Sequence, residues 1–95
     1  MRTIEQTGQF RRDYKRLAKA KGSSRQTLAS ELIAIITDLA NDQSLPEKSR
    51  DHALSGDWKD HLDCHIKPDL VLIYRKPDNA VLQLVRLGSH SELGL

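Results

Sequence analysis

The amino-acid sequence predicts an α+β domain with two N-terminal helices packed on one face of a small, mainly antiparallel four-stranded sheet. Three observations lead to this prediction. Apolar residues recur at helical spacing through the first 40 residues. From Trp58 onward, apolar and polar residues alternate with a period of two, and short turns containing proline separate strand-like segments. Because a chain of 95 residues suits one core, we expect a single domain over residues 1–95.

The first half of the chain predicts one strand and two helices. Apolar and polar residues alternate weakly in RTIEQ, which indicates a short strand with Ile4 facing inward. Apolar residues then line one side of a helix that ends near Gly22: Phe10, Tyr14 and Leu17. A second helix is expected over about residues 24–41, because a capping box of Ser23 and Gln26 precedes a continuous apolar stripe.

The second half predicts a long loop and three strands. Apolar residues follow neither the helical nor the strand spacing in residues 41–57, which contain Pro46 and Gly56. This segment is therefore expected to form a loop. Alternation from Trp58 onward places Trp58, Leu62, Cys64 and Ile66 on one face of a strand. LVLIYR and AVLQLVRLG follow after short turns and complete a meander. With both helices on one side, the other face of the sheet is expected to be open to solvent or a ligand.

Charge and composition limit the classes of function. Residues 1–26 carry eight lysines and arginines against two acidic residues, a net charge of +6, whereas the rest carries seven against eleven, a net charge of −4. This local cationic charge is typical of binding to a polyanion or an acidic protein, and equally of a solvated helix. There is one cysteine, no signal peptide and no apolar segment of membrane-spanning length, so a cytoplasmic protein is expected.

The segment DHLDCHIKPD, residues 60–69, is compatible with a metal site, a proton-transfer site or a polar strand face. On a strand, Cys64 points away from His61 and His65, which are themselves about 13 Å apart at roughly 3.3 Å per residue. Two nitrogen ligands of one zinc ion lie within about 4 Å of each other. The spacing therefore argues against zinc. Cys64 is expected in the core and His61 at the surface.

Proton transfer suits the polar residues better, because it needs only a few titratable groups around one cleft. The candidates come from the long loop, the end of one strand, the following turn and the end of the last strand: His52, His65, Asp69, Arg86 and His90. Histidine gives and takes protons near neutral pH, and arginine suits phosphate. This set fits phosphodiester cleavage, although surface histidines without a function explain the pattern too.

Five ordered motifs resemble the YafQ branch of the RelE/ParE toxin superfamily. They are DHALSGDW, DCH, the PD of the following turn, IY on the next strand and RLGSH. The resemblance implies a RelE-like fold and the toxin of a type II toxin–antitoxin system. It also implies cleavage of mRNA on the 70S ribosome in the bacterial cytoplasm, by attack of the 2′-hydroxyl to leave a cyclic phosphate, with no metal and no other cofactor.

The resemblance also implies roles for residues and partners. His52, His65, Asp69 and His90 match the family's functional positions, with Arg86 as the phosphate contact. As a hypothesis, His65 assisted by Asp69 is the better candidate for base or orienting group, His90 for acid, and His52 completes the set or holds the phosphate. The sequence leaves open which histidine is acid and which is base. Basic residues of the first helix are expected to contact ribosomal RNA or an acidic, DNA-binding antitoxin encoded nearby, through which the complex reaches operator DNA: Arg11, Arg12, Lys15, Arg16 and Lys19.

Two other functions fit a related fold. One is a ParE-like toxin that inhibits DNA gyrase without cutting nucleic acid, and the other is a decayed module that only binds the antitoxin. The histidines, Asp69 and Arg86 favour the nuclease over the gyrase inhibitor, whereas growth arrest on expression would separate both from the decayed module. The chain departs from the family pattern at Leu70 and near Gly94 and Leu95, where a compared member carries aromatic residues. If those aromatics stack on bases, codon preference and efficiency will differ here.

Overall fold

A computed structural model of the chain describes residues 1–20, 25–46, 49 and 52–95. The elements in chain order are β1 Thr3–Gln6, α1 Gly8–Ala20, α2 Arg25–Ala40, β2 His52–Ala53, β3 Leu62–Lys67, β4 Leu70–Asp78, β5 Val81–Gly88 and α3 His90–Leu93, with a short 3-10 helix, Gly56–Trp58, between β2 and β3. The α+β fold class is confirmed. Within the described residues the sheet contains one strand more than predicted, the two-residue β2 in the segment expected to be loop. The predicted capping box at Ser23 lies outside the described residues.

The strand order in the sheet is β1-β5-β4-β3-β2. β1 runs parallel to β5, and the other neighbouring pairs are antiparallel. The meander forms as predicted, because the turns at residues 68–69 and 79–80 are too short for any other connection. The strand β5 therefore ends beside the β3–β4 turn, which brings α3 to the same edge of the sheet.

The main core lies between the sheet and the helices α1 and α2. Its buried members come from both helices and from β3, β4 and β5: Phe10, Leu32, Ile35, Leu39, Ala40, Cys64, Ile66, Leu72, Tyr74, Leu82, Leu84 and Leu87. Cys64 has no exposed surface, so its predicted place in the core is confirmed. No described helix has the length and apolar character required to cross a bilayer.

A second, smaller cluster corrects two predictions about the opposite face of the sheet. Val71, Ile73 and Leu93 are buried there, and Trp58 packs against them. The face is therefore partly covered by α3 and the 3-10 helix, not open. Trp58 lies on the side opposite Cys64, because the chain enters β3 only at Leu62 and the alternation does not extend back to the tryptophan.

The inward orientation predicted for Ile4 is also wrong. All four residues of β1 are exposed, and Ile4 retains 38% of its surface. The strand is short, lies at the sheet edge and has a neighbour on one side only, β5. Its side chains therefore have few residues to pack against.

Candidate active site

Strand register brings His52 to Asp63. The two residues lie directly opposite each other in the antiparallel pair β2–β3, and His52 Nδ1 is 3.0 Å from Asp63 Oδ1. Asp63 is 5% exposed, whereas His52 is exposed. Because a carboxylate only accepts hydrogen bonds, Nδ1 of His52 carries the proton, and its Nε2 is free to act on a ligand.

His65 lies two residues further along β3 and meets His90 from α3. Their Nε2 atoms are 3.0 Å apart, and their ring centroids are 5.0 Å apart. The ring of His52 lies 6.4 Å from that of His65 in an edge-to-face arrangement. Three histidines from distant parts of the sequence therefore form one cluster at the end of the sheet.

Asp69 pairs with His90 and not, as expected, with His65. Its Oδ1 accepts from both Nδ1, at 2.9 Å, and the backbone N–H, at 3.3 Å, of His90. The hydrogen bonds from the side chain and backbone of His90 hold the pKa of Asp69 below its ordinary value. The carboxylate faces the start of α3 because Asp69 follows β3 in the tight turn to β4, next to the end of β5.

These contacts define a chain of proton-sharing groups. Asp69 requires the proton of His90 on Nδ1, so the Nε2 of neutral His90 is an acceptor. Nε2 of His65 then donates to it. Nδ1 of His65 is buried and has no hydrogen-bond partner among the described residues. Asp69 thus fixes which nitrogen of His90 carries the proton, whereas no described residue binds Nδ1 of His65.

Arg86 forms its ion pair with Asp13 of α1, a residue absent from the predicted site. Nε and Nη2 of Arg86 donate to the two carboxylate oxygens of Asp13 at 3.0 and 3.2 Å. The backbone N–H of Leu87 and the side chain of Gln9 also donate to Asp13. The guanidinium is therefore held in one orientation beside the last strand.

Asp13 is only 2% exposed, which makes its ionisation state important for folding. Burial by itself raises the pKa of Asp13, but the hydrogen bonds from Arg86, Leu87 and Gln9 outweigh that effect and hold the pKa below its ordinary value. The same hydrogen bond to Asp13 raises the pKa of Arg86. Both groups are accordingly charged over the whole physiological pH range.

The basic surface predicted on α1 is exposed to solvent. All five of its side chains are exposed: Arg11, Arg12, Lys15, Arg16 and Lys19. Arg16 Nη1 also forms an ion pair of 2.8 Å with Glu92 of α3. This contact places the basic surface of α1 next to the helix that carries His90.

Sequence reasoning missed Asp13 and Asp63, although each had a signal. Asp13 is the lone acidic residue of a basic helix, and it lies three residues after Phe10 and four before Leu17, on the side that faces the core. Asp63 shares a strand face with His65. Its partner was not visible, because the pairing of β2 with β3 depends on tertiary structure.

Among the residues that the structure describes, no three His, Cys, Asp or Glu side chains converge in a way that could hold a metal ion. His61, the other histidine, binds the carbonyl oxygen of Lys59 through Nδ1 and packs edge-to-face on Trp58. It takes no part in the cluster.

Comparison with known proteins assigns the chain to a family. A family model for a bacterial toxin of type II toxin–antitoxin systems, YafQ, matches residues 2–94. The chain belongs to the YafQ toxin family. The mRNA interferase toxin YafQ of Escherichia coli K12 is 36% identical over 92 residues, which cover 97% of this chain and 95% of that protein.

Solved structures of bacterial toxins share the fold. The crystal structure of a metal-bound toxin from Helicobacter pylori has a TM-score of 0.84 at 44% identity, over 98% of this chain and 99% of that chain. The crystal structure of the E. coli DinJ–YafQ complex has a TM-score of 0.79 at 36% identity, over 98% of both chains. Similarity at this level covers every element that carries the histidine cluster.

Proposed function

We propose that this YafQ-family toxin is an endoribonuclease that cleaves mRNA on the translating ribosome. The observation that carries the proposal is the histidine cluster, in which His65 and His90 present Nε2 atoms to each other at 3.0 Å while Asp69 binds the far side of His90. Two imidazoles this close together can remove a proton from the 2′-hydroxyl beside a phosphodiester and deliver one to the departing 5′-oxygen. The relative named as an mRNA interferase supports this activity.

In the proposed reaction, RNA supplies the nucleophile. The scissile phosphate displaces the contact between His65 and His90, so that one Nε2 faces the 2′-hydroxyl and the other the departing 5′-oxygen. The 2′-oxygen forms a bond to phosphorus, the bond from phosphorus to the 5′-oxygen breaks, and the products are a 2′,3′-cyclic phosphate and a 5′-hydroxyl. This mechanism requires proton transfer only and no metal ion.

The hydrogen bonds favour His90 as the base, which reverses the assignment expected from the sequence. Asp69 stabilises the imidazolium that forms when Nε2 of His90 takes the 2′-hydroxyl proton. His65, whose Nε2 faces the same gap, suits the role of acid, in which its doubly protonated ring gives a proton to the departing 5′-oxygen. His52, held by Asp63, is placed to bind the phosphate.

Arg86 is proposed to stabilise charge on the phosphate. Asp13 engages Nε and Nη2, and the guanidinium is 26% exposed, so part of it remains accessible to a ligand. The exposed cations of α1 would hold ribosomal RNA nearby. An acidic antitoxin is proposed as the second partner of this surface, since the E. coli relative forms a complex with DinJ.

The deciding experiment maps the 5′ ends of mRNA after purified protein is added to a defined translation reaction. We expect discrete cuts within the reading frame, fragments that begin with a 5′-hydroxyl, and no cleavage when ribosomes are left out. Growth arrest with intact mRNA and inhibited gyrase would contradict the proposal. A requirement for added zinc or copper would contradict the metal-independent mechanism.

Replacement of Asp69 by asparagine is expected to lower kcat about tenfold or more while the protein stays folded. The amide no longer stabilises the imidazolium of His90, and its NH₂ group can reverse which ring nitrogen carries the proton. The measurement is the single-turnover rate of mRNA cleavage. Asp78→Asn, a similar change at the exposed end of β4, is the control and should cleave at the wild-type rate. Equal rates for the two variants would exclude a catalytic effect of Asp69.

Reversal of charge on α1 is expected to weaken ribosome binding. In Lys15→Glu/Lys19→Glu, Kd should rise at least about tenfold, and the slope of log Kd against log salt concentration should decrease, because two phosphate contacts are lost. Both lysines are exposed, so folding should be unaffected. Lys59→Glu removes an exposed cation away from α1 and serves as the control. A change of the same size in the control would show that net charge alone determines binding.

A further inference from the structure

The helix α3 is too short to hold His90 in position by itself. It contains four residues, whereas isolated helices need about 12–15 residues to persist in water. A capping box of Ser89 and Glu92 closes its start, and Gly94, with φ of 71°, closes its end. The direction in which His90 points therefore depends on contacts between α3 and the rest of the protein.

Trp58 makes such a contact at the last turn of α3. Its indole Nε1 donates a hydrogen bond of 3.0 Å to the carbonyl oxygen of Leu93, one of the helix-end carbonyls that have no partner within the helix. The side chain of Leu93 is 4% exposed and packs with Val71 and Ile73 in the cluster that Trp58 joins. Trp58 thus fixes the end of α3 opposite His90 by both a hydrogen bond and packing.

The first residue of α3 is held separately, by Asp69. Asp69 is 74% exposed, and the ion pair between Arg16 and Glu92 of α3 also joins two partly exposed side chains, so these surface contacts by themselves allow the helix to pivot. A four-residue helix is only about 6 Å long at roughly 1.5 Å per residue. If the end held by Trp58 is released, His90 can therefore move by a distance comparable to its 3.0 Å contact with His65.

We propose that Trp58 is a positioning residue that acts through α3 to keep Nε2 of His90 aligned with His65. This inference rests on the proposed nuclease function, because it concerns the same cluster. Trp58 does not touch the reacting groups, so it affects the rate of proton transfer and not the binding of RNA. Its effect should accordingly appear in kcat and leave KM unchanged.

The test compares Trp58→Phe with a control in the same cluster. The phenylalanine keeps an aromatic ring and removes the N–H donor, so kcat should fall about tenfold at constant KM. The imidazole ¹⁵N chemical shifts of His90, measured by NMR without RNA, should change as well. Ile73→Val removes one methyl group from the cluster and keeps the hydrogen bond to Leu93. It should lower Tm by a comparable amount with kcat and the His90 shifts unchanged.

Two outcomes would overturn the proposal. One is an equal loss of kcat in Trp58→Phe and Ile73→Val when the two variants have the same Tm, which would show that Trp58 contributes stability only. The other is a set of His90 shifts that does not change in Trp58→Phe. If the wild-type protein cleaves no mRNA, the nuclease proposal fails, but the NMR comparison still decides whether Trp58 positions His90.

Discussion

Replacement of His90 by glutamine is expected to lower the rate of mRNA cleavage by about 10²- to 10⁴-fold, the usual contribution of a general acid or base. Glutamine retains hydrogen-bonding groups but cannot exchange a proton near neutral pH. His90 is partly exposed, with 39% of its side chain accessible, so the substitution should leave the fold intact. The measurement is the single-turnover rate on translating ribosomes, with 5′-end mapping to identify the cuts.

The control for this experiment is His61→Gln. His61 packs on Trp58 but binds the backbone of Lys59, lies outside the cluster and takes no part in the hydrogen bond from Trp58 to Leu93, so its variant should cleave at the wild-type rate. His65→Gln should lose about as much activity as His90→Gln, and the double variant little more, because the two rings act as a unit. A His90→Gln protein that cleaves within about threefold of wild type would rule out the proposed base.

Removal of the Asp13 carboxylate is expected to cause the largest loss of stability. In Asp13→Ala, the guanidinium of Arg86 and the N–H of Leu87 lose a buried acceptor. Deleting one partner of such a pair costs about 3 kcal/mol, at the lower end of the usual range because Arg86 is 26% exposed. Urea unfolding measures this loss. Glu5→Ala, an acidic residue exposed on β1, should change the free energy of unfolding by less than about 0.5 kcal/mol.

The stability supplied by Asp13 should depend on pH with a defined sign. The pKa of Asp13 is lower in the folded protein than its ordinary value of 3.8, so its contribution is complete above that value and is lost as pH falls through the folded pKa. The difference in unfolding free energy between wild type and Asp13→Asn should therefore be largest at neutral pH and shrink below about pH 4. A difference that grows on acidification would contradict the assignment of the carboxylate as the buried acceptor.

Periodicity was sufficient for the main elements of the fold. Apolar residues recur at helical spacing within α1, which contains Phe10, and within α2, which contains Leu32 and Leu39. Cys64 and Ile66 are two residues apart on one face of β3. Both patterns follow from the need to bury one face of each element. These residues occupy the core because local geometry determines which side chains share a face. The same reasoning failed for Ile4 and Trp58, because their surroundings depend on which strand lies at the edge and where β3 begins.

The sequence predicted which residues form the candidate site, but it was a poorer guide to which of them form hydrogen bonds with each other. His65 and His90 meet because β5 ends beside the β3–β4 turn, an arrangement that follows from the predicted meander. The partner of Asp69 could not be derived, since a shift of one residue in register or helix start moves its carboxylate to another ring. For the same reason, the acid and base roles expected from the sequence are reversed in our proposal.

The sequence by itself determined the α+β class, the buried cysteine, the basic helix and the set of histidines, because periodicity and residue chemistry are local properties. Tertiary structure alone decided the contacts between elements. Asp13 reaches Arg86 from a helix, Asp63 reaches His52 across a strand pair, and the indole of Trp58 binds the last turn of α3. Such contacts join residues far apart in the chain. Their geometry depends on how helices and strands pack, which no single segment encodes.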